Sequence, residues 1–137
     1  VVGGCGSNHA LNTVEVYDPQ TNTWATAPPM GTARRSHGVA ALGGKIYAAG
    51  GLNGTYLSSV EVFDPQTNSW AAVAPMGTAR SDFSLTAARG KLYAVGGSDG
   101  QTTLATVEAY DPQQDRWEAM APMAEARHSH GAAAVCV

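Results

Sequence analysis

A period of 46 or 47 residues runs through the whole 137-residue chain and constrains its fold more than any other feature. A Gly-Gly pair and a tryptophan recur at these steps, together with an aspartate, a methionine and an arginine. The five markers are Gly3-Gly4, Gly50-Gly51 and Gly96-Gly97; Trp24, Trp70 and Trp117; Asp18, Asp64 and Asp111; Met30, Met76 and Met123; and Arg34, Arg80 and Arg127. Five independent markers in one register exclude chance. A repeat of this length is typical of arrays in which each unit is one supersecondary structure.

Each unit also contains the signatures of β-hairpins, and no stretch carries a helical period. Between Val14 and Trp24, two β-rich runs flank Asp18-Pro19 and Asn22. Aspartate suits the opening of a turn, proline its second position and asparagine a left-handed residue, so this segment is predicted to be a hairpin. Tighter hairpins are predicted before two short apolar strands, at Gly43-Gly44 before 45–49 and at Arg89-Gly90 before 91–95.

The size of the side chains varies along each unit in a way that suits a wheel of sheets. Residues 37–42 and 130–135 are mostly small, as a strand near the axis of such a wheel must be, because the sheets converge there. Sheets diverge outward, so the strands that carry the tryptophans must fill a wider gap at close-packed density. We therefore expect the bulky tryptophan, tyrosine and methionine side chains on the outside.

The order of the markers within each unit resembles the kelch repeat. Gly-Gly is followed by a polar loop, Val-Glu-x-aromatic-Asp-Pro, a short turn, tryptophan, Pro-Met, arginine and a strand of small residues. The aromatic residue is Tyr17, Phe63 or Tyr110. The resemblance covers the whole chain and implies an all-β fold of β-propeller blades, each a four-stranded antiparallel sheet. The three kelch repeats, which are offset from the blades, fall at about residues 1–44, 45–90 and 91–137.

The chain begins and ends at the same phase of the repeat, inside one blade. Val1 corresponds to Ala48, and three full repeats would need equivalents of residues 45–47 in addition. The first blade is then expected to lack its inner strand, and the last strand of small residues, about His128 to Val137, is expected to lack a partner. Both edges are open to pairing, and closed propellers generally have four or more blades. One hypothesis is a two-fold dimer that forms a six-bladed ring. The alternatives are an engineered half-propeller or a fragment of a six-repeat protein.

One face of the array is predicted to carry the longer loops. If the inner strand runs from one face to the other, the connection after Pro-Met and the loop after Gly-Gly must lie on the same face. The connections are residues 31–37, 77–83 and 124–130, and the loops are residues 5–10, 52–56 and 98–103. Loops often carry binding residues, and the residues of these loops differ between the repeats, as a recognition surface would require. Surface loops that simply tolerate substitution also differ in this way.

In kelch-like ubiquitin-ligase adaptors, which the chain resembles, peptides are held on that face by residues just after the repeated arginine and just after Gly-Gly. The resemblance therefore implies that the module binds a protein or peptide there. The candidate ligand-binding residues are Arg35, Ser36, His37, Asn53, Tyr56, Ser81, Asp82, Phe83, Ser98, Asp99, Gln101, His128, Ser129 and His130.

Residues that recur in every unit are better explained by the architecture of a blade than by one binding site. These structural candidates are Gly3, Gly4, Gly50, Gly51, Gly96, Gly97, Trp24, Trp70, Trp117, Arg34, Arg80, Arg127, Glu15, Glu61 and Glu108. A buried arginine or glutamate alone is costly, whereas a pair between strands or neighbouring blades satisfies both charges. We therefore predict that the repeated arginines and glutamates form ion pairs.

No metal, cofactor or catalytic centre is expected. His37 and His130 are equivalent positions and His128 lies two residues from His130, but the third equivalent position is Phe83 and no carboxylate or cysteine completes a set of metal ligands. The sequence shows no Ser/His/Asp order, close carboxylate pair or phosphate-binding loop with a following lysine. The alternative is a fragment of a kelch-fold enzyme, such as a copper oxidase resembling galactose oxidase or a sialic-acid mutarotase.

The charge balance makes nucleic acid an unexpected partner. Eleven acidic against eight basic residues give a net charge of −3, with no basic run for phosphate backbones or anionic membranes. No apolar run is long enough to span a bilayer and no leader is visible, which leaves the compartment open. Cys5 and Cys136 belong to no metal-binding motif and are expected to be free thiols. The expected partners are a protein or peptide and a second copy of the chain.

Overall fold

The computed structural model describes residues 1–135, which form eleven strands in three antiparallel sheets. The first sheet contains β1 (Val2–Cys5), β2 (Ala10–Asp18) and β3 (Thr23–Ala27). The second contains β4 (Gly38–Leu42), β5 (Lys45–Ala49), β6 (Val60–Asp64) and β7 (Ser69–Val73), and the third contains β8 (Ser84–Ala88), β9 (Lys91–Val95), β10 (Val107–Asp111) and β11 (Arg116–Met120). Residues 1–135 contain no helix, and hence none that is long and apolar enough to cross a membrane. The prediction of an all-β fold built of antiparallel blades is therefore confirmed.

The hairpins predicted from the Asp-Pro segments are formed. The turn between β2 and β3 begins at Asp18, whose carboxylate accepts the backbone N–H of Gln20 at 2.8 Å. The residue before each outer strand is left-handed, with φ of 53° at Asn22, 52° at Asn68 and 48° at Asp115. The sequence signal works because a short polar side chain tolerates this backbone conformation.

The first strands of the two four-stranded sheets, β4 and β8, pack against each other and lie innermost. A Cβ added at Gly38 would lie 2.6 Å from the Cβ of Leu85 and 2.9 Å from the ring of Phe83. The approach of the two sheets therefore leaves no room for a side chain at Gly38. This confirms the prediction that the strand of small residues lies where the blades converge.

The tryptophans lie on the outermost strands β3, β7 and β11, as predicted. The indole N–H of Trp70 donates to the carbonyl of Pro28 at 2.9 Å, and that of Trp117 donates to the carbonyl of Ala74 at 2.9 Å. Each of these two tryptophans thus ties its own blade to the preceding one.

Met30, Met76 and Tyr47 do not lie on the outside, so the prediction is wrong for these residues. Met30 and Met76 are 2% and 3% exposed. A Cβ added at Gly3 or Gly50 would lie 2.9 Å from the Cε of Met30 or Met76, respectively. Tyr47 lies buried on β5, the second strand from the axis. The chain crosses back over the blade after each outer strand, and this return carries the methionine inward.

Hydrophobic packing lies between the sheets. The larger cluster joins the second and third sheets around Tyr47, Leu92 and Tyr110, and the ring centroids of the two tyrosines are 5.8 Å apart. A smaller cluster joins the first and second sheets around Val14 and Ala48. The blades are therefore held face to face by apolar side chains, with the burial of that surface as the main stabilising contribution.

The two ends of the described chain differ from its middle. The first sheet has three strands where the others have four, and residues 121–135, which follow β11, form no strand. Residues 131–135 are exposed. Cys5 is an exposed free cysteine, whereas the thiol predicted at Cys136 and the end of the predicted last strand lie outside the described residues.

Candidate functional site

Backbone pairing brings the loops of the second and third blades to one face. Arg35 and Leu52 exchange hydrogen bonds of 3.0 and 2.8 Å, and Ser81 and Ser98 exchange two of 2.9 Å. Each pair joins the connection after Pro-Met to the loop after Gly-Gly. We call this surface the loop face, and it consists of residues 5–10, 31–37, 52–56, 77–83, 98–103 and 124–130.

Backbone hydrogen bonds also link the three connections across the loop face. The N–H of Asp82 donates to the carbonyl of Ser36 at 2.9 Å, and the N–H of Ser129 donates to the carbonyl of Asp82 at 2.7 Å. Ser36, Asp82 and Ser129 have left-handed backbones, with φ of 50°, 53° and 54°. Because these residues belong to different repeats, backbone geometry sets the spacing between repeats at this face.

Phe83 packs on the first glycine of the preceding Gly-Gly pair. A Cβ added at Gly50 would lie 2.9 Å from the Phe83 ring and 2.6 Å from the carbonyl oxygen of Arg80. His37 and His130 occupy the equivalent position in the other two repeats. The recurrent glycine is thus required by an aromatic ring and a carbonyl group that approach it from the next repeat.

Two of the candidate ligand-binding residues are buried in this structure. Phe83 is 7% exposed and Ser81 is 0% exposed. The ring of Phe83 fills the space over Gly50, and the Ser81 hydroxyl donates to the carboxylate of Asp82 at 2.8 Å. Both side chains are thus engaged within the protein, that of Ser81 with Asp82 and that of Phe83 with Gly50.

His37 and His130 are half-buried and pack as Phe83 does. Their ring nitrogens are shielded from solvent and have no hydrogen-bond partner among residues 1–135. Burial lowers the pKa of His37 below its ordinary value, and the positive charge of Arg34 lowers it further. The neutral form of His37 therefore suits this packing position, and its ring nitrogens are poorly placed to bind a ligand on the loop face.

The other candidate residues remain accessible on the loop face. Ser36, Asn53, Tyr56, Gln101, His128 and Ser129 are exposed, and Arg35, Asp82, Ser98 and Asp99 are half-buried. The ring of Tyr56 reaches the loop of the next repeat, since a Cβ added at Gly100 would lie 2.5 Å from it. The accessible candidates thus extend across neighbouring loops.

Asp99 is held by its own loop. Its carboxylate accepts the backbone N–H groups of Thr102 at 2.8 Å and Gln101 at 2.9 Å, and these hydrogen bonds lower the pKa of Asp99. A carboxylate that satisfies two backbone donors shapes the loop. Asp99 therefore contributes a fixed negative charge near the end of the loop face.

An open cavity of about 440 Å³ lies where the loops of the first two repeats meet. Its polar lining comes from Arg35 and Asn53, which were sequence candidates, and from Asn8 and His9, which were not. Asn8 and His9 lie in the loop after Gly3-Gly4. Their position just after Gly-Gly was the sequence signal that could have identified them as candidate binding residues. The guanidinium of Arg35 lies 3.9 Å from the Sγ of Cys5 and forms no salt bridge within residues 1–135.

The repeated arginines and glutamates meet at two joints between blades. Arg34 donates to the carboxylate of Glu61 at 2.8 Å, and Arg80 donates to that of Glu108 at 2.7 Å. Both arginine side chains are 0% exposed. The predicted ion pairs are thus present in the interior, where each charge is desolvated.

The third arginine and the first glutamate do not meet within the described residues. The side chain of Arg127 is 52% exposed and lies 3.7 Å from Glu125, and Glu15 is exposed at the other end of the array. The ion pair forms between successive blades. Within the described residues no blade precedes the first blade and none follows the third, so Glu15 and Arg127 lack the neighbouring blade that would supply a partner.

The accessible side chains of the loop face are mostly polar. Residues 1–135 contain no cluster of three or more histidine, cysteine, aspartate or glutamate side chains placed to hold a metal ion. The accessible groups of the loop face are guanidinium groups, imidazoles, amides, hydroxyls, carboxylates and the thiol of Cys5. Such groups bind another molecule by hydrogen bonds and charge.

Comparison with known families gives a match along most of the chain. A family model described as the Kelch motif matches residues 1–31, 33–77 and 79–124. Each matched segment contains one of the periodic Gly-Gly pairs and one of the repeated tryptophans, which are the markers of the sequence period.

Similar curated proteins match about two fifths of the chain. Kelch-like protein 7 of Homo sapiens is 47% identical over 53 residues, which is 39% of this chain and 9% of that protein. Kelch-like protein 1 of Mus musculus is 48% identical over 56 residues, or 38% of this chain and 8% of that protein. Influenza virus NS1A-binding protein of Homo sapiens is 42% identical over 52 residues, which is 38% of this chain and 8% of that protein. The match therefore spans less than a tenth of each relative.

Proposed function

Because the chain belongs to the kelch-motif family, we propose that it is a protein-interaction module that binds a peptide or protein segment on its loop face and carries out no chemistry of its own. The observation that carries this proposal is the cavity beside Arg35, whose walls come from the loops of two repeats. Binding sites are commonly concave surfaces with a few convergent polar groups.

The chemistry of the cavity favours a segment that carries a carboxylate. A guanidinium presents parallel N–H donors that match the two oxygens of a carboxylate. Arg35 is half-buried and forms no salt bridge within the described chain. One of its Nη groups donates to the Sγ of Cys5 at 3.9 Å, and its remaining donors are available to a ligand. The side-chain amide of Asn53 lines the same cavity and adds a further donor. An aspartate or glutamate side chain is the expected occupant.

The rigidity of the loop face supports the same proposal. The backbone bonds between Ser36, Asp82 and Ser129 tie the connections together, and the ring of Tyr56 rests against the loop at Gly100. A surface that is ordered before binding loses less conformational entropy when a ligand arrives. The exposed side chains around the cavity are therefore presented on a scaffold suited to recognition.

The relatives agree with a protein partner in general terms. The name of one of them records binding of the influenza virus NS1A protein. We extend from this only the class of partner, a protein or peptide, because the match covers 8% of that relative.

The test is selection of peptides from a random library on the immobilised chain, followed by affinity measurement of the selected peptides by fluorescence polarisation. We expect the selected peptides to carry aspartate or glutamate. Arg35→Ala should weaken their binding by at least about tenfold, as expected for the loss of a central arginine contact.

Arg89→Ala is the matched control. Arg89 is exposed and lies in the hairpin between β8 and β9, at the opposite face. Its replacement should leave peptide affinity unchanged. If no peptide is enriched, or if the enriched peptides bind the Arg35→Ala variant as they bind the original chain, the loop face is not the site proposed.

A further inference from the structure

One set of contacts builds the joint between the first and second blades. The carboxylate of Glu61 accepts the backbone N–H of Gly31 at 2.7 Å and the guanidinium of Arg34 at 2.8 Å. Arg34 also donates to the carbonyl of Gly50 at 2.8 Å and to that of Ser59 at 3.0 Å. The Arg34 side chain thus extends from the connection into the next blade. There its guanidinium donates to a glutamate carboxylate, to the hydroxyl and carbonyl of a serine, and to a glycine carbonyl.

The joint between the second and third blades repeats these contacts one period later. Glu108 accepts the N–H of Gly77 at 2.6 Å and the guanidinium of Arg80 at 2.7 Å. Arg80 also donates to the carbonyls of Gly96 at 2.7 Å and Thr106 at 3.2 Å. Two independent copies of the joint define which groups each side must supply.

Within residues 1–135, the first blade presents the receiving half of this joint and no arginine fills it. Glu15 and Thr13, the equivalents of Glu61 and Ser59, are exposed. Trp24 is 56% exposed, although the equivalent Trp70 and Trp117 donate to carbonyls of the preceding blade. This end of the array is a surface shaped to receive a preceding blade.

The third blade presents the donating half. The backbone of Arg127 is in its joint position, because its carbonyl accepts the N–H of Gly97 at 2.8 Å and its N–H donates to Leu104 at 3.1 Å. Its side chain is nevertheless 52% exposed, compared with 0% for Arg34 and Arg80. The arginine lacks a following blade among the described residues.

Gly4 gives a further indication that the first blade is shaped for a neighbour. A Cβ added at Gly51 would lie 2.5 Å from the carbonyl oxygen of Arg35, and one at Gly97 would lie 2.5 Å from that of Ser81. A Cβ at Gly4 would meet no atom of the described chain within 4 Å. By the period, the residue that would approach Gly4 is His128, which lies at the far end of the array.

We propose that the chain binds a second copy of itself through these two ends, so that two copies close a six-bladed ring with two identical new joints. Arg127 of one copy then donates to Glu15 of the partner subunit, and Trp24 of the partner subunit donates to the carbonyl of Ala121. Residues 131–135, which are exposed and form no strand, lie beside β1 of the partner subunit and complete its sheet to four strands.

The register of that added strand follows from the second sheet. Gly38 pairs with Ala49 and Val39 with Ala48. By the period, Gly131 pairs with Val2 of the partner subunit and Ala132 with Val1. The new strand covers the open edge of the first blade, where unpaired backbone groups otherwise invite pairing with any chain.

Two residues at the donating end depart from the other joints. Ala124 stands where Gly31 and Gly77 donate to a carboxylate, and Glu125 stands in the position of Thr32. A Cβ added at Gly31 would lie 2.9 Å from the carboxylate of Glu61, so Ala124 requires the carboxylate of Glu15 to shift. Glu125 places a second negative charge beside the carboxylate of Glu15. The joint between copies is therefore weaker than the two joints within the chain.

The first test is the mass of the chain in solution, measured by light scattering at micromolar concentration. The expected result is a dimer of twice the 14.1 kDa chain mass. A monomer overturns the proposal, and a ladder of longer assemblies overturns the closed ring, because a head-to-tail contact that does not close forms open polymers.

The second test uses charge reversal at the two ends. Glu15→Arg and Arg127→Glu should each weaken dimerisation by at least about 30-fold, because each places like charges at both joints. Mixing the two variants should restore the dimer, because one joint then carries the original pair and the other the reversed pair. Circular dichroism of each variant establishes that it is folded, and the mixture reports on the joint even if one variant alone is unstable.

Arg89→Glu is the matched control, since it makes the same change on the opposite face and should leave the dimer intact. Dimers that survive both single reversals, or variants whose mixture stays monomeric, contradict the proposed joint. A failure of self-association leaves the proposal for the loop face untouched, because peptide selection tests that surface directly.

Discussion

The Nη2 of Arg34 lies 2.8 Å from the Oε2 of Glu61, and the arginine side chain has no exposure to solvent. The two residues are 27 positions apart in the chain and belong to successive repeats. Each charge is desolvated and is compensated by the other, together with backbone groups at the same joint. The loss of either partner leaves an uncompensated charge in the interior.

Replacement of Glu61 by alanine should destabilise the protein by about 3–5 kcal/mol, because Arg34 then remains buried without its anion. The melting temperature should fall by roughly 10 °C or more. Chemical denaturation and thermal melting followed by circular dichroism measure these effects. Binding of selected peptides on the loop face should be largely retained at temperatures where the variant is folded.

Glu118→Ala is the control for that variant. Glu118 pairs with Arg116 on the exposed outer strand of the third blade, and exposed pairs contribute little to stability. Loss of peptide binding by the Glu61→Ala variant without loss of stability would contradict the structural role of the buried pair.

Gly50→Ala should destabilise the protein more than Gly43→Ala. The two glycines have nearly the same backbone, with φ of 62° and 59°, so the strain of a left-handed alanine of about 1–2 kcal/mol is shared. Only Gly50 is approached closely, since its added Cβ would lie 2.6 Å from the carbonyl oxygen of Arg80. Overpacking of this kind should add about 1–3 kcal/mol. Equal denaturation midpoints for the two variants would show that the close approach relaxes without cost.

The stability of the protein should fall as the pH falls below about 6.5, and His37 should contribute to that fall. Burial and Arg34 lower the pKa of His37 in the folded state. The unfolded chain therefore takes up a proton at a pH where the folded chain does not, and proton uptake favours unfolding. His37→Phe should remove this contribution, since Phe83 fills the same position in the next repeat. Denaturation of both proteins between pH 7 and pH 5 measures the difference.

The converse substitution provides the control for His37. Phe83→His should introduce a similar loss of stability at falling pH, because the position is buried and Arg80 stands where Arg34 stands in the other repeat. If the free energy of unfolding of the His37→Phe variant changed with pH as it does in the original chain, the pH dependence of stability would belong to other groups.

Ala124→Gly combined with Glu125→Thr should strengthen self-association by about tenfold or more, because it removes the crowding and the like charge opposite Glu15. The double variant recreates the Gly-Thr pair that Gly31 and Thr32 supply at the first joint. Sedimentation equilibrium of the variant and the original chain measures the two dissociation constants. Equal or weaker association of the variant would argue that the two ends do not meet as proposed.

The sequence was sufficient for the local structure of each repeat. The left-handed Asn22 and the turn at Asp18 follow from the conformational preferences of short polar residues, which act within a few positions. The small residues of β4 predicted its place near the axis, because only small side chains fit where blades converge. Such features depend on neighbours in sequence or on a simple geometric limit.

The sequence was not sufficient for the accessibility of the candidate site. Ser81 and Asp82 are adjacent, yet Ser81 is buried and Asp82 is half-exposed. Phe83 and Asn53 were both binding candidates, yet Phe83 packs on Gly50 and Asn53 lines the cavity. Which side of the chain faces solvent depends on the backbone pairing between loops of the same blade, and no local preference specifies that pairing.

The sequence alone determined the period, the hairpins and the residues that must recur, because each repeat obeys the same local rules. Tertiary structure decided which recurrent residues meet. It paired Arg34 with Glu61 and Arg80 with Glu108, but left Arg127 and Glu15 at opposite ends of the array. The physical reason is that each joint needs two successive blades, so identical residues are buried between blades and exposed where the described array ends.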